Sequence, residues 1–262
     1  MHKVNATAEQ RVEKTLTDDL KRVRGKHGIL FRLAAAAVEQ PDETVRRALL
    51  PVVGEGIVRD LVREAEASNR ERRTMGWLDE GIEPGWVPAA AAVADVLAQE
   101  PVDWRVSSRL ARAVPTAAPL AALRSRQPIV DDRFGELRVG HWEGYTEDEI
   151  AERWPEHWQR WRSEPHALEV ERRETLADLN AHVAGALDEL FADLVDGRVA
   201  VVFTRDAVVR AAVAWALGAG PEIYRHVEVA NCSITTVGVV AGVRRLVRTN
   251  ENAHLEGLAL EP

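Results

Sequence analysis

Along the first third of the chain the apolar positions are spaced for helices, and further on they shorten into strands. Residues 8 to 24 read as a polar helix without a wide apolar stripe, and 28 to 39 (GILFRLAAAAVE) as a run of strong helix formers. Pro41 and Pro51 bracket a short helix at Glu43 to Leu50. After the Gly54 and Gly56 turn, Ile57, Leu61, Val62 and Ala65 fall at helical spacing, so Ile57 to Ala67 predicts another helix, with a second reading taken up below.

From Met75 the texture changes. Gly76, Gly81, Pro84, Gly85 and Pro88 make a loop region, and Ala89 to Gln99 a short apolar helix. Asp103 to Ser107 predicts a strand, Ala111 to Arg124 a helix interrupted by Pro115, and Ile129 to Asp132 a short extended stretch. Thr146 with Glu149 forms a capping box that opens a helix. Pro155 to Glu164 is a Trp-rich helical turn region, and Leu176 to Leu194 a long amphipathic helix. Val199 to Phe203 (VAVVF) is wholly apolar, as in a parallel sheet covered on both faces. Val208 to Leu217 predicts an apolar helix and Ser233 to Val240 a strand. Such alternation implies a layered α/β domain.

Composition sharpens the seam. All four lysines lie in the first 26 residues, and all eight tryptophans at or after Trp77. Residues 1 to 70 hold 13 basic and 11 acidic side chains, and the remainder 21 and 31. Two pieces, 1–70 and 71–262, are therefore expected. The net charge of -8 argues against general nucleic-acid binding. No apolar run approaches the roughly 20 residues of a membrane helix, Met1 to Gln10 lacks a secretory pattern, and the single cysteine, Cys232, suits a reducing compartment. A cytoplasmic protein is expected. No clustered ligands at metal-binding spacing are found, so no metal or cofactor is expected.

Several strings in order along the second piece carry a resemblance. Trp77, Leu78 and Asp79 sit in MGWLDEGIEP; VSSRLARAVPTA spans Val106 to Ala117; FGELRVGHWEG spans Phe134 to Gly144; then come RRETLADLNAHV, VVFTRDAVVRAAVAWALG, VANCSITTV and RTNENAHL. In this order they resemble the histidine phosphatase (phosphoglycerate-mutase-like) superfamily. The resemblance implies a three-layer α/β/α sandwich preceded by a small helical N-terminal segment. It also implies a chemistry in which one histidine takes up the phosphoryl group, arginines and a second histidine stabilise its charge, and a carboxylate serves the leaving group.

On this resemblance Arg112 is the phosphate-binding arginine of the Ser-Ser-x-Leu-x-Arg string, and Glu136 is the retained acid. The second motif reads Thr204, Arg205, Asp206, Ala207 where the family has Thr-His-Gly-Gly, so Arg205 stands in place of the second histidine and can still bind phosphate. For the first motif the nearest string is LVREAEASN, Leu61 to Asn69. It keeps an arginine at Arg63 and puts Glu64 in the place of the nucleophile. His27, in GKHG, follows no apolar strand, and His141 and His182 fall on a loop and a helix.

Residues 18 to 68 also resemble part of a large transposase of the replicative type. On that account Ile57 to Ser68 is helical, Glu64 is no counterpart of the nucleophile, and the first motif was lost by fusion. On the other account LVREAE is the central strand of the sheet. The preferred reading is a fused chain in which Arg59 to Glu64 occupies the strand slot. The leading functional expectation is an inactive phosphatase-like protein whose ligand is a phosphorylated small molecule, held by Arg112, Arg205 and Arg63. The plainer account of these arginines is ion pairing with Glu136, Glu64 or Asp206. Two other functions stand beside it. One is an active phosphomonoesterase or phosphomutase with an unusual nucleophile. The other is weak DNA binding by residues 1 to 70 through Lys21, Arg22, Arg24 and Lys26.

Overall fold

The computed structural model describes residues 56 to 260 other than 68, 70, 79, 100, 101, 111, 126, 193 to 198 and 241. The chain divides into two units, Met1–Glu55 and Gly56–Pro262, and the description concerns the second. The helices expected before residue 51, His27, the basic cluster at Lys21 to Lys26 and most of the transposase-like stretch lie outside the described residues.

The helical reading of Ile57 to Ala67 is not what the chain adopts. Gly56–Arg63 is a strand, β1. The others are β2 (Val102–Ser107), β3 (Ile129–Val130), β4 (Val199–Thr204), β5 (Ile234–Val240) and β6 (Val243–Glu251). They form one sheet in the order β3-β2-β4-β1-β5-β6. β1 lies parallel to β4, with Val58 opposite Val199 and Arg63 opposite Thr204, and antiparallel to β5. Leu61 and Val62 explain the outcome. Helical spacing would have put both on one stripe, but in a strand they point to opposite faces, and each face has a core waiting.

Leu61, with Ala200 and Val202 of β4, packs on the face that carries Leu179, Val183 and Leu187 of α5 (Leu176–Ala192) and Val208 and Ala212 of α6 (Asp206–Leu217). Val62, with Val201 and Phe203, packs on the other face against Ala89, Val93 and Leu97 of α1 (Val87–Ala98) and Ala117 and Leu120 of α2 (Ala113–Leu123). Helices thus cover both faces of a mixed sheet, the layered α/β architecture expected. The short α3 (Glu147–Arg153) and α4 (Pro155–Ser163) follow, and α4 carries Trp158 and Trp161.

Two local details differ from the pattern reading. Pro115 does not interrupt α2. It is the third residue of the helix, where an N–H has no intrahelical acceptor to lose. β6 was not anticipated, because VRRLVRTNE has three arginines and no apolar run. It is an edge strand, mostly exposed, where such side chains are admissible. The Thr146 capping box is present as expected: Thr146 Oγ1 accepts from Glu149 N at 3.2 Å and Glu149 Oε2 accepts from Thr146 N at 2.8 Å.

Candidate functional site

The register aligns the carboxyl ends of the parallel strands. Ser107 lies opposite Phe203, and Thr204 opposite Arg63, so the residues that follow β1, β2 and β4 emerge at one edge of the sheet. In open α/β sheets this edge is where ligands bind. β1 ends in Arg63 and delivers Glu64; the turn after β2 delivers Arg112, which caps α2; β4 delivers Arg205 and then Asp206, the first residue of α6. Glu136 comes from the loop between β3 and α3. All six line one cavity of about 240 Å³. The sheet therefore brings together every site residue expected from the sequence.

The backbone holds these turns firmly. Glu64 N donates to Thr204 O at 2.9 Å, and Ser108 N to Phe203 O at 3.0 Å. Thr116 Oγ1 donates to Arg112 O at 2.8 Å and accepts from Ala65 N at 3.1 Å, tying the turn after β1 to the start of α2. Thr204 Oγ1 donates to Phe134 O at 2.6 Å, which brings the Glu136 loop over the end of β4.

Inside the cavity cations and carboxylates interleave. Arg205 is 2% exposed, Arg112 3% and Glu64 5%. Glu64 Oε1 lies 2.9 Å from Arg205 Nε and 3.9 Å from Arg112 Nε. Arg205 Nε is also 3.4 Å from Glu136 Oε2. The 2.9 Å approach is that of an ion pair, out of line for a hydrogen bond; among the described residues the Arg205 side chain donates from Nη2 to Gly76 O at 3.2 Å. Gly76 has φ +48°, and a Cβ there would stand 2.6 Å from Val139 Cγ2, so only glycine presents this carbonyl. Arg63 Nη1 lies 3.6 Å from Asp206 Oδ1 and donates to Val229 O. Asp206 is held in turn by Arg210, at 2.7 and 3.1 Å. Ion pairing with Glu64, Glu136 and Asp206 is thus a fact of the site.

Burial pushes the Glu64 carboxyl up to about 7, against the pull of Arg63 and Arg112, while Asp206 adds to the push. Glu136 rises to about 8, through desolvation first and then through the Glu64 and Asp206 carboxylates. Several donors are left over. Arg112 Nε and Nη1 and Arg205 Nη1 are buried without a hydrogen-bond partner, as is Glu64 Oε2.

Among the described residues, those lining this cavity include no histidine. His141 packs at a tilt on Trp154 with ring centroids 4.4 Å apart, and His182 sits between Arg133 O and Glu174. Residues that the motifs did not point to form the cavity's aromatic wall, Trp161 and Tyr224, 5.7 Å apart. Behind Trp161 is Arg173, 7% exposed and 4.4 Å from that ring, whose burial lowers its pKa to about 10. The Trp-rich stretch at 155 to 164 was the available signal for the wall; nothing in the sequence gave its direction.

The model of the "Histidine phosphatase superfamily (branch 1)" matches residues 61–252. The chain belongs to the histidine phosphatase superfamily. The match begins at Leu61, so it takes in Arg63 and Glu64. "Phosphoserine phosphatase 1" of Hydrogenobacter thermophilus is 35% identical over 131 residues, 50% of this chain and 62% of that protein. The 2-carboxy-D-arabinitol-1-phosphatase of Triticum aestivum is 24% identical over 207 residues, 78% of this chain and 41% of that one. The chain spans less than two thirds of the length of either relative. Among solved structures, Bacillus stearothermophilus YhfR superposes with a TM-score of 0.72 at 23% identity, covering 76% of this chain and 100% of that one. A phosphoserine phosphatase mutant from Entamoeba histolytica, with a histidine replaced by alanine and in complex with phosphoserine, superposes with a TM-score of 0.68 at 22% identity, covering 76% and 99%. These structures share the fold.

Proposed function

We propose that this superfamily member binds phosphate esters without hydrolysing them. The observation that carries the reading is the pair of side chains at the ends of β1 and β4. Glu64 and Arg205 stand side by side where the family chemistry calls for two imidazoles. A carboxylate repels the phosphorus it would have to attack, and a guanidinium stays protonated and accepts no proton. Loss of the nucleophile of a covalent enzyme can cost on the order of 10⁶ in turnover. The means to hold an oxyanion remain in Arg112, Arg205 and Arg63, since guanidinium donors suit phosphate oxygens. Glu136 keeps the place of the acid, with no leaving group to serve. The structural relative solved with phosphoserine after a histidine was replaced supports binding without that histidine. The ligand class is a phosphorylated small molecule, and the cavity of about 240 Å³ suits that size.

Hydrolysis of an aryl phosphate at high protein concentration tests this, with Arg112→Ala as the control for contaminating phosphatase. The expected result is no turnover that depends on Arg112. Turnover lost in the variant would mean that the chain carries an active nucleophile. The converse experiment is the Glu64→His/Arg205→His double variant, which is expected to acquire Arg112-dependent hydrolysis.

A further inference from the structure

The seat that Arg112 and Arg205 form is already visited by an anion of the chain's own. Glu64 is tethered to the end of β1 by a backbone bond to Thr204, so its carboxylate can reach Arg205 at 2.9 Å but Arg112 only at 3.9 Å. It satisfies the seat incompletely. Arg112 Nε and Nη1, Arg205 Nη1 and Glu64 Oε2 all remain buried without hydrogen-bond partners. Two arginines, 2% and 3% exposed, with idle donors facing one cavity make a site for an oxyanion with more acceptors than a carboxylate.

We propose that Glu64 is a built-in competitor for the oxyanion seat, so that an external phosphate or sulfate group enters only as the Glu64 carboxylate gives up its charge by taking a proton. This rests on the reading of the cavity as a phosphate-ester site and adds the residue that decides when the site is open. The physical reason is repulsion in a desolvated space. Two anions cannot share buried guanidinium donors at hydrogen-bonding distance unless one is neutralised.

The groups that face Glu64 come from every surrounding element: Arg63 beside it on β1, Arg112 at the start of α2, Arg205 and Asp206 at the start of α6, Glu136 from its loop, and Cys232 before β5, whose N–H lies 3.3 Å from Glu64 O. The Cys232 thiol is pushed up to about 12 and stays neutral, so Glu136 is the second group that titrates in the same range. Burial already holds Glu64 at about 7, so the proton is available near neutrality.

Sulfate is the probe, because its own charge is constant over the range and any pH dependence belongs to the protein. Isothermal titration calorimetry of the full chain at pH 6 and pH 8.5 compares the wild type with Glu64→Gln, Glu136→Gln and Arg112→Ala. Wild-type affinity is expected to fall about tenfold or more between the two pH values, since one proton linked to binding changes affinity by up to about tenfold per pH unit. Glu64→Gln is expected to bind at least tenfold more tightly than the wild type at pH 8.5, and Glu136→Gln to retain the wild-type pH dependence in large part. Arg112-dependent binding that is equal in wild type and Glu64→Gln at pH 8.5 overturns the competitor and leaves the oxyanion site standing. Absence of Arg112-dependent binding in both proteins at pH 6 overturns the site and the competitor together. Titration of the Glu136→Gln protein at pH 7.5 in two buffers of different ionisation heat needs no folded Glu64 variant. About one proton taken up per sulfate bound supports the proposal, and no uptake overturns it.

Discussion

Glu64 and Arg205 are each other's justification. A buried guanidinium without a carboxylate, or a buried carboxylate without a guanidinium, would cost several kcal/mol; together they offset much of that penalty. Arg205→Ala is therefore expected to destabilise the protein by about 3–5 kcal/mol in chemical denaturation, because it takes away the cation that lies 2.9 Å from Glu64 and 3.4 Å from Glu136. The same two carboxylates set a pH dependence. Their folded-state values, about 7 and about 8, lie above the ordinary 4.5, so the folded protein holds protons that the unfolded chain releases. Stability falls as pH rises from about 4.5 to about 8 and takes no further loss from these groups beyond that. Thermal melts across that window should show the decline, and a Glu64→Gln/Glu136→Gln variant should flatten it. At this scale the sequence was informative. Arg63, Glu64, Arg112, Glu136 and Arg205 all stand in strings legible in the sequence, and they line one cavity. Which cation meets which carboxylate was not, because that depends on how three strand ends line up. The Gly76 carbonyl on Arg205 is a contact across 129 positions that no local pattern could announce.

β1 is the element on which the site depends. Leu61 is fully buried against α5 and α6, and Leu61→Ala is expected to cost about 2–5 kcal/mol, measured by denaturant unfolding. Thr146→Ala, which removes one half of the α3 capping box, is expected to cost about 1 kcal/mol. The capping box could be read from two residues because it is a contact within one turn. The strand could not be read from its own residues, since IVRDLVREA fits a helix about as well as a strand. Only the vacancy between β4 and β5, with Thr204 O and Ser233 O accepting from Glu64 N and Arg63 N, selects the extended form. β6 shows the opposite case. Its arginines disguise a strand that exists because β5 offers it an edge.

For the whole molecule, the position of β1 bears on where the phosphatase-like domain starts. We propose that a chain beginning at residue 56 retains the cooperative thermal transition of the full protein, and that one beginning at residue 71, which lacks β1, does not; circular dichroism of the two decides it. Removing a central strand exposes the edges of β4 and β5 and takes Leu61 from one core and Val62 and Ala65 from the other. The order of motifs from MGWLDE to RTNENAHL, together with the alternation of apolar strands and amphipathic helices, determined the superfamily and the layered architecture. These are properties of local pattern and of residue identity, which a sequence records directly. Tertiary structure alone decided that Leu61 to Arg63 lies in a central strand of the sheet, that Glu64 and Arg205 touch, and that Trp161 and Tyr224 wall the cavity. Each of these is fixed by what the rest of the fold leaves open and not by the residues themselves.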